Sequence, residues 1–200
     1  MVRNFTLLIC IGLGGCAIVP PAVIATPAKQ SPIHGTAENS KSIYVSDFSV
    51  KLVDKKIGQL KTGTMCVGGQ DLIWRDNETV LNSMREQISA TFSENGYVVY
   101  QGLIKSRAEN QADILVGVSI EEVKANICSS IIGTKGEASM TLRWEIVDLA
   151  TDKSLSTATS GAASIPEFKR TGDPDVFVAA VTMATENLLA QPAFSDLTRK

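Results

Sequence analysis

Catalysis needs a nucleophile with a base, a proton donor or a metal cage, and this 200-residue chain is short of all three. Its single histidine, His34, removes most imidazole catalysis and most zinc sites. Glu121-Glu122 are neighbours near the end of a strand pattern, so they are expected on opposite faces. Asp173 and Asp175 sit at a helix start, where negative charge is favoured without any acid–base role. Gly68-Gly69 and the glycines at 133 and 136 lack the Gly-Lys-Ser/Thr ending of a phosphate loop. Trp74 beside Arg75 is an aromatic–cationic pair in a loop. Trp74 packs under a sheet or, if exposed, anchors a partner together with Arg75. These residues imply no enzyme, no cofactor and no metal site.

Four thiols remain, at Cys10, Cys16, Cys66 and Cys128. Residues 1–15 have the layout of an export signal, with Arg3 as a short positive region and an apolar run over 5–13. Leu13-Gly14-Gly15-Cys16 follows and resembles a bacterial lipobox. The resemblance implies cleavage before Cys16 and a thiol carrying diacylglycerol, with palmitate among the acyl chains. Two or more acyl chains anchor a protein stably. Ala17 rather than Asp after the cysteine implies, by enterobacterial sorting rules, the outer membrane, with the chain facing the periplasm. Three other readings stay open, one being that Cys16 is an incidental cysteine of a leader, like Cys10. Cleavage after Ala25 would release a soluble periplasmic protein, and 5–24 could remain as an anchor, although Pro20-Pro21 interrupts it short of a span. In a bacterial envelope the sequon-like Asn77-Glu78-Thr79 is coincidental.

Export also bears on the remaining cysteines. In an oxidising compartment Cys66 and Cys128 are expected to form one disulfide, the alternative being two buried free thiols. Closing so long a loop should stabilise by roughly 4 kcal/mol.

Residues 16–42 carry Pro20, Pro21, Pro27 and Pro32 among small polar residues, with no apolar period, and read as a tether containing His34. Residues 43–200 read as one domain. Composition suits a core: 44% of residues are hydrophobic and 20% charged. The net charge of −2, or −3 once Arg3 leaves with the leader, argues against a nucleic-acid partner.

The elements follow from periodicity. Residues 43–52 read as a strand, and 54–75 as a glycine-rich loop with room for a short hairpin. Residues 76–95 read as a helix with Asp76 or Asn77 as cap, a stripe of Leu81, Met84, Ile88 and Phe92, and Gly96 as stop. Short strands are expected over 97–100 and 113–122. Over 137–147, Ala138, Met140, Leu142, Trp144 and Ile146 alternate with polar residues, a sheet with one dry and one wet face. A Ser/Thr-rich strand over 154–164 reads as near an edge. The last helix opens at Asp173-Pro174, buries Phe177, Ala180, Val181, Ala184 and Leu188, and ends at Pro192. The expected fold is α/β (α+β): a single mixed or antiparallel sheet of four or five strands with two helices on one face.

Several segments resemble the periplasmic domain of the curli-assembly (CsgG-like) lipoproteins and the TolB amino-terminal domain. Residues 43–48 are similar to that family's opening strand ending in Asp47-Phe48, and 92–100 to its helix exit. Ala112-Asp113-Ile114 through Ser119 is similar to its alanine–aspartate strand, and 142–153 to its strand ending in Val147-Asp148. The resemblance implies a non-enzymatic envelope lipoprotein that works as scaffold or partner-binding component of an assembly or export system. Envelope proteins and the membrane are then its partners, and a homo-oligomer is admitted. Pore-forming members insert membrane hairpins. Here 123–136 is too short to add one, and Lys55, Lys56, Lys61 and Asp71 spoil a lipid-facing row over 54–75. The alternatives are a subunit of an oligomeric secretion channel and a soluble periplasmic enzyme or ligand-binding protein.

Overall fold

A computed structural model describes residues 40–100, 111–170 and 174–200. The leader, Cys16, nearly all of the tether and the expected Asp173 cap lie outside the described residues.

The chain builds β1 (Ile43–Val50), β2 (Lys56–Thr62), β3 (Val67–Ile73), α1 (Glu78–Glu94), β4 (Ile114–Ser130), β5 (Gly133–Asp148), β6 (Lys153–Lys169), α2 (Pro174–Leu189) and α3 (Pro192–Thr198). All six strands form one mixed sheet in the order β3-β2-β4-β5-β6, with β1 also on β4. The architecture is thus α+β as expected, with six strands rather than four or five and three helices rather than two among the described residues.

Strand β4 organises the sheet. It pairs antiparallel with β5 along its whole length. Its other edge is shared: β1 runs parallel to it from Ile114 to Ile120, and β2 runs parallel to it from Ala125 to Ser129. β1 and β2 are therefore two stretches of one track along β4. β2 then turns back into β3, so the expected glycine-rich loop is mostly hairpin.

β4 is 17 residues long and does not end at 122, because a bulge hides its second half. Ile120 faces Leu142 but Glu122 faces Thr141, so one extra residue enters between them. The buried set Ile114, Val116, Val118, Ile120 then continues as Val123, Ala125, Ile127. Even positions face inward before the bulge and odd positions after it. β5 keeps a single phase, with Ala138, Met140, Leu142, Trp144 and Ile146 all buried.

The helices cover this dry face. Asn77 Oδ1 accepts the Thr79 amide at 2.9 Å and caps α1, and Gly96 takes φ 88° just past its end. Met84, Ile88 and Phe92 are fully buried, with Leu81 packed at their margin. From α2, Phe177, Ala180, Val181, Ala184 and Leu188 are all buried. Trp144 joins the two layers. Its Nε1–H donates to Thr159 Oγ1 at 2.7 Å, and Thr159 donates to the Ala184 carbonyl at 2.7 Å. α2 also lies very close to β6: a Cβ on Gly161 would sit 2.0 Å from the Ala180 carbonyl oxygen.

Two expectations at the ends of elements are corrected. Residues 97–100 make only the bridge Val99–Ile43, since the Ile43 amide to Val98 and the Tyr100 amide to Ile43 are the bonds that align there. Pro192 does follow the end of α2 but also opens α3, because its fixed φ suits a first helical position. That short helix buries Phe194, which stacks on Phe92 with centroids 5.9 Å apart.

Gly161→Ala should lower stability to urea unfolding by about 1–3 kcal/mol, because α2 must lift from the sheet. Gly69→Ala, whose Cβ would meet nothing nearer than 3.7 Å, should lower it far less.

Candidate functional site

Polar clusters in the described residues resolve into structural pairs. Glu121 and Glu122 do not point to opposite faces as strand alternation implied. The bulge puts both on the wet face, where Glu121 binds Arg143 through Nε (2.5 Å) and Nη2 (3.1 Å), and Glu122 binds Lys124 at 2.6 Å. The Arg143 hydrogen bond holds the Glu121 carboxyl below its ordinary value. Each carboxylate has its own cation, so the two share no proton.

One end of the sheet, the root, receives the chain at Ser40. Ser40 bridges to Arg199, and the Lys41 amide donates to the Thr198 carbonyl at 2.8 Å. Lys41 Nζ reaches Asp148 Oδ2 at 2.8 Å and the Leu197 carbonyl at 3.1 Å. Asp148 is almost wholly buried and also accepts from the Thr151 hydroxyl and the Ala150 amide. Hydrogen bonding from Lys41, and then from Thr151, holds its carboxyl far below the usual carboxylate range. Asp113, in the alanine–aspartate motif, accepts the Ser42 amide at 2.8 Å and the Ser42 hydroxyl at 2.9 Å, which lowers its pKa too. It registers β1 against β4.

The opposite end, the tip, gathers the β2–β3 turn, the β4–β5 turn and the exit of β6. Cys66 and Cys128 are bonded there, with Cα atoms 5.5 Å apart. The expected pairing is present, and it ties the first turn to the sheet. Beside it is a shallow depression of about 260 Å³ lined by Lys61, Asn126, Lys135, Glu137, Ser164 and Pro166. Lys135 Nζ lies 4.6 Å from the centre of the Phe168 ring.

The Trp74–Arg75 pair divides. Trp74 is buried at 6% exposure, edge-on to Phe177, with Nε1–H donating to Asp76 at 3.0 Å. The partner-anchor role is therefore not available to Trp74, whereas Arg75 is exposed. Asn77 of the sequon is spent as a helix cap. Among the described residues no three His, Cys, Asp or Glu side chains are placed to hold a metal, and no buried side-chain nitrogen or oxygen lacks a partner. The sequence reasoning missed the tip, where Ile131 and Met65 stand exposed at 101% and 82%. The available signal was the pair Ile131-Ile132 in a turn.

No protein-family model and no curated protein matches the chain. Solved structures similar to it include the PelC dodecamer from Paraburkholderia phytofirmans, 11% identical, covering 76% of this chain and 94% of that one, with a TM-score of 0.37. Lipoprotein GNA1162 from Neisseria meningitidis is 13% identical over 71% of this chain and 97% of its own, with a TM-score of 0.34. Protein XCC0632 from Xanthomonas campestris is 9% identical over 75% and 91%, with a TM-score of 0.37. The likeness to curli-assembly and TolB domains rests on the motifs quoted above.

Asp148→Asn should cost about 3 kcal/mol at pH 7, the low end for breaking a buried pair, because Lys41 keeps some contact with water. The folded-state pKa of Asp148 is depressed, so its stabilisation is complete above the unfolded value of about 4 and is lost as pH falls below it. Denaturant titrations of both proteins should therefore begin to converge as pH falls below about 4 and meet only at much lower pH. Removing the disulfide by Cys66→Ser with Cys128→Ser should cost roughly 4 kcal/mol. In a protein lacking Cys10 and Cys16, equal gel mobility with and without reductant, together with two titratable thiols, would show the bond absent.

Proposed function

We propose that this protein is a non-catalytic envelope lipoprotein, held by acylated Cys16 at the outer membrane and facing the periplasm, and that its 43–200 domain binds or scaffolds envelope proteins. The observation that carries the reading is Leu13-Gly14-Gly15-Cys16, placed directly after an apolar run of secretory length. A disulfide is compatible with an oxidising compartment. No described helix is long and apolar enough to cross a membrane.

The described body supports a binding rather than a reacting role. Glu121, Glu122, Asp148 and Asp113 are committed to Arg143, Lys124, Lys41 and Ser42 respectively. Its thiols at 66 and 128 are bonded to each other. Self-association belongs to the same proposal, with cross-linking to a large ring as its sign.

Mass spectrometry of the native protein should find an amino terminus at Cys16 bearing fatty acid. Cys16→Ser should abolish lipid labelling and release the chain from the membrane fraction. A protein that stays membrane-bound without label, or that begins after Ala25, would end this reading.

A further inference from the structure

The tip end of the sheet is unusual in what it exposes. The β4–β5 connection is a two-residue turn, Ile131-Ile132, since Ser130 pairs directly with Gly133. Tight hairpin turns favour Asn, Asp and Gly, which tolerate positive φ. Neither isoleucine adopts positive φ, and Gly133 takes φ 135° beside them. Local turn chemistry therefore gives no reason for two β-branched residues here, one fully and one half in water. The neighbouring β2–β3 turn repeats the pattern. Met65 is 82% exposed and Val67 66%. Both turns lie at the same end, because β2 and β4 run parallel there, and the Cys66–Cys128 bond ties the β2–β3 turn to β4 three residues before the β4–β5 turn.

Around these apolar side chains the charge is positive. Lys61, Lys135, Lys169 and Arg170 lie at this end against Glu137, Glu167 and Asp71, the last paired with Lys56 at 2.8 Å, in a chain whose net charge is −2. Glu137 is engaged by Asn126 at 3.0 Å. Lys61 and Lys135 both line the shallow depression.

We infer that the tip formed by the β2–β3 and β4–β5 turns is a contact site for an anionic phospholipid surface. Ile131, Ile132, Met65 and Val67 enter the headgroup layer, and the surrounding lysines and Arg170 face lipid phosphates. The shape favours lipid over a protein groove. The apolar residues sit on or beside two turns at an end of the sheet where cations outnumber carboxylates, a combination by which peripheral segments hold anionic bilayers. Reach is sufficient. β4 spans about 55 Å from root to tip. The 23 residues separating Cys16 from Ser40 allow a contour of up to about 80 Å, so an acylated terminus and the tip can meet one bilayer.

The site does not require acylation, and its test reads it separately. Ile131→Trp in the full-length protein places a reporter at the tip, while Trp74 and Trp144 are buried and give a constant background. Val98→Trp places a control at the root, where the Val98 carbonyl binds the Ile43 amide. With vesicles of phosphatidylcholine and phosphatidylglycerol carrying brominated acyl chains, the indole at 131 should shift to the blue and be quenched. The one at 98 should not. Lys135→Gln or Lys169→Gln should each weaken engagement of the tip roughly fivefold, read as quenching of the indole at 131 rather than as total vesicle binding, an effect lost at high salt. An indole at 131 that stays water-like and unquenched on anionic vesicles, or that is quenched no more than the one at 98, overturns the inference. Fatty-acid mass measured on the same preparation keeps failure of the anchor distinct from failure of the tip.

Discussion

Strand β4 has backbone donors and acceptors on both edges along 17 residues, and burial requires nearly all of them to be paired. β5 satisfies one edge completely. The other edge is too long for a single short strand, and the chain fills it twice, with β1 and then β2 running in the same direction. Most of the architecture follows from that division. The step between the two strands sits where Lys51 donates to the Ile120 carbonyl, next to the bulge in β4. Because β2 lies on the far half of β4, its hairpin with β3 projects at the tip, and Cys66 comes within bonding distance of Cys128.

The same constraint explains which parts were readable in advance. β5 and α2 were legible because each keeps one phase from end to end, so its apolar stripe names its buried face without knowledge of its neighbours. β4 was legible only to its bulge. Beyond Glu121 the inward positions change from even to odd, and a period-two pattern read across that point dissolves. The hairpin β2–β3 was hidden for a different reason. As the outer strand, β3 is largely exposed, so Val67, Gly68, Gly69 and Gln70 show no alternation to detect. α3 is too short to carry a helical period, and its one strong signal, Phe194 under Phe92, is tertiary.

Polar residues were legible according to how local their partners are. The disulfide could be paired because only two cysteines remained once the leader and the lipobox had taken theirs. The helix cap at Asn77 could be read because a cap bonds within two residues. Asp148 looked like a turn residue, and it does bind Ala150 and Thr151, but its main partner is Lys41, 107 residues away. Asp113 likewise finds Ser42 across 71 residues. These contacts hold the point at which the tether joins the domain, and no spacing rule could have placed them.

The molecule therefore has two ends made by different physics. The root is closed: Lys41, Asp148, Asp113 and Ser42 satisfy one another, and Phe194 fills the core beneath them. The tip is open. One of its turns is tied to β4 by a covalent bond, yet the two expose Met65, Val67, Ile131 and Ile132 side by side with four cations. The other large exposed apolar residues, Val53, Ile73, Val98 and Leu149, come from four different segments of the chain. A cluster calls for explanation, because in water it invites association and adds nothing to the fold. The disulfide sharpens the point. A bond that holds one exposed turn beside the other matters little to solvated loops but limits the entropy lost when both meet the same surface. The turn that breaks hairpin sequence preference and the neighbouring turn that is covalently tied to β4 lie at one end of the sheet, and the inferred lipid contact gives both features one reason.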